Sequence, residues 1–184
     1  MEVKGTAVRS TPLFVRQRFS SRFDEWADSL SAEARKVMLA RISTSAWFPL
    51  QTAMIEPTQK ICDLFFEGDS AGALEIGRFS ADYSLWGLYR LFIKIGSPSF
   101  LIKRATSVFS TYYRPCKMIL VEQTPLSALV RITEFAEPNE LVELRIIGWM
   151  ERALKISGCS DVQTKITKSL TRGEDCTEIV AQWR

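Results

Sequence analysis

The chain has 184 residues, of which 46% are hydrophobic and 24% charged. That balance fits one globular domain able to bury a core without disulfide or metal staples. Its net charge of +3 is too small an excess to predict a nucleic-acid surface, and no apolar run reaches the ~18 residues of a membrane span. Histidine is absent, which excludes Ser–His and Cys–His nucleophile pairs, histidine-ligated haem and the common catalytic zinc sites.

Met1 to Ser10 mixes charge and polarity, with no apolar stretch of the kind a secretory signal carries. The four cysteines, Cys62, Cys116, Cys159 and Cys176, include no Cys-x-x-Cys pair. A cytoplasmic location with reduced thiols is the expectation.

The first part of the chain, 1–114, reads as mainly helical. Phe14 to Phe19 is a short helix candidate after Pro12. Ser31 caps a second candidate whose first turn holds Glu33 and whose apolar face holds Val37, Met38 and Ile42. Trp47 to Leu50 breaks that helix and starts another, because proline suits a first turn. Pro57 predicts a kink within the run from Leu50 to Phe65. Ala73 to Ile95 carries the strongest helical pattern, apolar over much of its circumference as in a central buried helix. Gly77 and Gly87 lie inside it. Each costs about 1 kcal/mol against alanine, so a close packing partner or a ligand is expected beside them. Ser99 to Tyr113 reads as the next helix.

From 115 to 184 the periodicity changes. Met118 to Val121 and Ala128 to Thr133 read as strands joined by a turn at Thr124–Leu126, an antiparallel hairpin. A helix over Asn139–Ser157 follows, with Val142, Ile146, Trp149, Met150 and Ala153 on one stripe. Val162 to Leu170 and Cys176 to Trp183 alternate as a second hairpin with one buried face. The expected fold is α+β in one domain, 1–184. An N-terminal helical layer packs on a twisted antiparallel sheet of about four strands, and a helix lies between the two C-terminal hairpins.

The string from Gly148-Trp149 through Glu151, Ala153, Leu154 and Gly158, then Val162–Lys168, Arg172–Cys176 and Val180–Trp183, resembles the C-terminal half of one superfamily. Its members include bacterial vinyl-reductase-type sensor domains, haem–nitric-oxide-binding domains and core subunits of the TRAPP vesicle-tethering complex. Val3–Gly5, Ala46–Leu50, Leu74–Ser80, Tyr89–Phe92 and Ser97–Leu101 are similar to an uncharacterised family of myxobacteria and their relatives within that superfamily. The resemblance implies helices layered on a sheet with an apolar pocket between them, and ligand sensing or partner binding without a known reaction. It also sets two departures. The haem-binding branch relies on a histidine, absent here, and the cysteines that the sensor branch often carries near its last helix are replaced by Leu141–Leu144.

The candidate ligand-binding residues are Trp47, Trp86, Tyr89, Phe92 and Trp149, an aromatic set that would line an apolar cavity. Ordinary core packing is the competing account of the same residues. Arg78, Tyr83 and Arg90 are the polar groups that would orient a ligand. Cys176, with Cys159 near it, invites a zinc or acyl-acceptor role by the resemblance. A small buried residue beside a turn is the plainer account, and two cysteines leave a zinc site two protein ligands short. Carboxylates form no catalytic pair; Glu140 and Glu143 suit the dipole of their helix. No catalytic residue, cofactor or metal is expected. The expected function is a non-catalytic sensor or signalling domain that binds a small apolar ligand between helices and sheet. The alternative is a module that dimerises through its helices and docks a protein partner.

Overall fold

The computed structural model of the chain describes residues 1–85 and 98–184. The N-terminal strand β1 (Glu2–Lys4) leads through α1 (Gly5–Val8) into α2 (Ser10–Arg18), α3 (Phe23–Asp28) and α4 (Ala32–Leu39). Ser31 caps α4 as its sequence predicts, its hydroxyl accepting from the Ala34 amide at 3.3 Å.

Trp47–Pro49 departs from the helix start expected there. It forms strand β2, because its backbone pairs with β1 in the register Val3↔Phe48. A short π-helix, Gln51–Ile55, then passes into α5 (Glu56–Phe65), with Pro57 in the first turn of α5. The proline therefore marks a change of helix type, where a kink was expected. α6 (Ala71–Ser84) follows. The part of the Ala73–Ile95 helix beyond residue 85 lies outside the described residues, and with it Gly87.

The chain returns in α7 (Pro98–Val108) and a 3-10 turn, Phe109–Thr111. Tyr113–Arg114 forms β3, which pairs with the free side of β1 and completes a three-stranded sheet of order β2-β1-β3. Sequence reading missed this small sheet.

The C-terminal part matches its expected order. Strands β4 (Lys117–Gln123) and β5 (Ser127–Thr133) form the first hairpin, helix α8 covers Glu140–Ile156, and β6 (Gln163–Lys168) and β7 (Thr177–Gln182) form the second. The hairpins join along β5 and β7 in an antiparallel sheet of order β4-β5-β7-β6. Alternation along β5 buries Ala128, Val130 and Ile132 on one face. Asn139 caps α8 by accepting from the Leu141 amide at 3.0 Å, and Glu140 and Glu143 occupy its first turn. Val142 and Ile146 of α8 face Ile132 and Thr177 of the sheet across a gap of only about 10 Å³.

On its other side α8 meets α6, the most extensive helix contact among the described residues. Two glycines make it close. A Cβ on Gly77 would lie 2.9 Å from the Arg145 carbonyl carbon, and one on Gly148 would collide with the Leu74 carbonyl oxygen and lie 3.1 Å from the Arg78 amide nitrogen. The packing partner expected beside Gly77 is thus the backbone of α8. The N-terminal helices α2 and α5 also pack on α6; Phe14 meets Phe79 edge to face at 5.5 Å, and Phe19 stacks on Phe65 of α5 at 4.2 Å. No helix among the described residues is long and apolar enough to cross a membrane.

Gly148→Ala gains roughly 1 kcal/mol of helix propensity but drives a methyl into backbone that has no rotamer with which to yield. Overpacking of this kind costs about 1–3 kcal/mol, occasionally more. We expect a net loss near the upper end, about 2 kcal/mol, read as a lower urea midpoint at unchanged slope. An unaltered midpoint would show that the helices do not touch here.

Candidate functional site

Helix α8 carries three buried ionisable residues, each turned toward a different neighbour. Glu143, 6% exposed, points at the sheet end. Its carboxylate accepts from the Ser169 hydroxyl at 2.7 Å, from Thr171 at 3.3 Å and from the Thr177 hydroxyl. Arg145, 4% exposed, points the other way, into the N-terminal helices. Its Nη1 donates to Thr58 Oγ1 at 2.8 Å and Thr11 Oγ1 at 3.0 Å, and its Nη2 to the Ala7 carbonyl at 3.4 Å. Neither residue joins an ion pair among the described residues; Glu143 is held by neutral hydroxyls, and Arg145 by neutral hydroxyls and a carbonyl. Residues two apart on a helix face away from each other, so they do not neutralise one another directly.

Burial holds the Arg145 pKa down to about 10, opposed weakly by the negative forms of Tyr113 and Cys62. The folded value therefore lies below the unfolded one. The folded state gives up this proton first, and the cost of burying the charge is present at neutral pH and relieved as pH rises through about 10.

Glu151 is the third, and it is paired. Arg78 Nη2 donates to it at 2.6 Å and Lys155 donates from the next turn. Burial pushes the Glu151 carboxyl up, but hydrogen bonds from Lys155 and Arg78 outweigh this and leave it below its ordinary value. Arg78 also pairs with Glu75. It thus ties α6 to α8.

The aromatic candidates divide. Trp47 lies on β2, half-buried, with Lys4 over its ring at 4.8 Å and Arg114 at 4.1 Å. Trp149 lies on α8 and turns toward the end of α6, where its indole N–H donates to the Ser84 hydroxyl at 3.2 Å. It packs beside Ala81, Leu85 and Ala153, with Leu101 and Ile156 at the margin. Different elements and partners hold these two tryptophans. Trp86, Tyr89 and Phe92 lie outside the described residues, as does Arg90. Tyr83 is 36% exposed, with the Arg9 guanidinium 5.7 Å from its ring.

All four cysteines are buried and unpaired. Burial raises every thiol pKa, that of Cys116 to about 12. Cys176 is raised further by its hydrogen bond to Asp175. Reactive cysteines need the opposite shift. No group of three or more metal-ligating side chains occurs among the described residues.

Sequence reading missed the buried roles of Arg145 and Glu143. The signal was present: both charges interrupt the apolar run Leu141–Ile147 at positions that any rotation of the helix must bury.

No protein-family model matches the chain, and no curated protein matches it in sequence. Solved structures do match its fold. An H-NOX protein from S. oneidensis in the Fe(II)NO ligation state superposes with a TM-score of 0.72 at 13% identity, covering 98% of this chain and 99% of that one. The Fe(II) unliganded H-NOX protein from K. algicida gives 0.71 at 10% identity, over 98% and 96% of the two chains. The SO2144 H-NOX domain from Shewanella oneidensis in the Fe(II)CO state gives 0.70 at 13% identity, over 98% of each. The chain therefore has an H-NOX-like fold along almost its whole length. Of the resemblances read from the sequence, the fold is similar to that of the haem–nitric-oxide-binding domains; the likeness does not bear on the vinyl-reductase, TRAPP or myxobacterial ones.

Two outcomes follow from this geometry. Thr58→Val leaves a buried guanidinium N–H without its shortest partner and is expected to cost about 1–3 kcal/mol, measured by urea unfolding; a neutral substitution would show Arg145 to be solvated from another direction. A chromogenic disulfide such as Ellman's reagent at pH 8 is expected to leave all four thiols unmodified in the folded protein and to titrate all four in urea. Rapid modification of Cys176 in the folded state would overturn its assignment as a structural residue.

Proposed function

We propose that the chain is a sensor domain of H-NOX-like fold that binds a small apolar ligand without haem. The observation that carries this reading is the fold likeness over 98% of the chain in a sequence with no histidine. The residues present do not fit a histidine-held haem. Alternative soft ligands are disfavoured as well, because burial holds the thiols protonated. The described interior is filled by the protein's own aromatics. The Tyr113 ring lies 5.1 Å from Phe109 and 5.7 Å from Phe135, and its hydroxyl meets Met54 Sδ at 3.7 Å.

The ligand site in this reading is the apolar cluster around Trp149. It stands where α6 ends, with Leu101 of α7 at its margin. A ligand there would bear on both members of the α6–α8 pair. No catalytic chemistry is assigned to it: the cluster is apolar, with the Trp149 indole donating to the Ser84 hydroxyl and that hydroxyl to the Ala81 carbonyl.

Exposed apolar side chains favour a second reading, a protein-docking module. Ile119 and Val121 on the edge strand β4 are 39% and 42% exposed. Large exposed apolar groups on a sheet edge are unusual without a partner.

Native mass spectrometry of the purified protein separates the two readings. A sensor is expected to carry an excess mass lost on collisional activation, or to bind the neutral probe N-phenyl-1-naphthylamine, with binding weakened several-fold by Trp149→Ala. A bare chain that ignores the probe and self-associates with concentration would overturn the sensor reading in favour of the docking module.

A further inference from the structure

We propose a second binding site, for a small carboxylate or sulfonate with an apolar body, in the cleft between α2, α6 and α8. The cleft is open to solvent and holds about 430 Å³, within the range of small-molecule sites. Its residues are separate from the Trp149 cluster, and the proposal does not rest on the apolar-ligand reading.

Phe79, half-buried, supplies an apolar edge to a mainly polar cleft, and Phe14, 3% exposed, backs it edge to face at 5.5 Å. Four basic side chains line the cleft: Arg18, Arg78, Arg152 and Lys155. Three acidic ones oppose them, so one positive charge is in excess. The pairing shows where that excess sits. Arg78 is shared by Glu75 and Glu151, Lys155 is paired with Glu151, and Arg152 donates to Asp82 at 2.7 Å. Arg18 alone among the four joins no ion pair among the described residues.

A position in the last turn of α2 favours a cation for its own sake, because the helix dipole is negative there. That accounts for a basic residue at 18. It does not account for the cleft, the aromatic edge, or three neighbouring cations whose charges are already balanced. A guanidinium with free donors beside an aromatic surface recognises an anionic head on an apolar body. The balanced rim would exclude a second charge while Arg18 takes the first. An occupant would also touch α2 and α8, which the Arg145–Thr11 hydrogen bond already joins.

The probe is 1-anilinonaphthalene-8-sulfonate, titrated by fluorescence against the whole chain. We expect one molecule bound per chain, about ten-fold or more weaker binding in Arg18→Ala, from the loss of a charge-assisted hydrogen bond, and partial retention in Arg18→Lys. Amide shifts on titration should centre on Phe14, Phe79 and Arg152. Neutral N-phenyl-1-naphthylamine should be indifferent to Arg18. Arg18→Gln, which keeps most of the side-chain length, replaces Arg18→Ala if the latter melts earlier than the parent. No binding by the parent chain, equal binding by the Arg18 variants, or shifts centred on Trp149 would each overturn the proposal.

Discussion

The backbone contact between α6 and α8 is the constraint on which the rest of the fold depends. Side chains normally hold packed helices 8–10 Å apart. Here Gly77 and Gly148 remove the intervening Cβ atoms, and each helix lays a glycine against the other's main chain. The gain is more than local. α8 has the four-stranded sheet on its opposite side and α6 packs against the N-terminal helices α2 and α5, so the seam sets the spacing of three layers at once. The Arg78–Glu151 and Arg152–Asp82 ion pairs cross the same seam. Being partly exposed, they orient the helices more than they stabilise them.

Buried charge is the second organising feature. Removing an ion from water costs several kcal/mol even after relaxation. α8 nonetheless buries Arg145 and Glu143 among hydroxyls. Arg145 gathers Ala7, Thr11 and Thr58 from α1, α2 and α5 around one fork of donors. Glu143 gathers Ser169, Thr171 and Thr177 from the β6–β7 connection and the start of β7. An apolar pair at these positions would cost less to bury. A planar guanidinium and a carboxylate each demand particular partners in particular directions, which fixes how the helical layer and the hairpin meet α8. α8 is thus tied to both of its sides, an arrangement that the proposed sensor reading would use to pass a displacement from one to the other.

The C-terminal unit was legible in sequence because its strands run six or seven residues and alternate, and its helix has a capping Asn139 and a continuous apolar stripe. The small sheet was not. Its strands β1, β2 and β3 are two or three residues long, too short for any period, and they pair residues far apart in the chain, Val3 with Phe48 and Tyr113. Trp47 was read as part of a helix entry for the same reason. Gly77 was readable as a close approach, but its partner on α8 was not, since sequence spacing carries no information about which helix crosses. Arg145 was passed over because charged residues are usually solvated, and only the apolar residues on all sides of it argue otherwise.

If the seam between α6 and α8 is the centre of the fold, the two helices behave as one rigid body, and amide hydrogen exchange reports this directly. Amides of Leu74–Ala81 on α6 and Arg145–Arg152 on α8 are predicted to exchange only through global unfolding, with free energies no lower than those of β5 and β7. Exchange of the α8 amides through local openings, while β5 and β7 stay protected, would contradict the account: the seam would then be a soft contact, and the sheet the true centre of the fold.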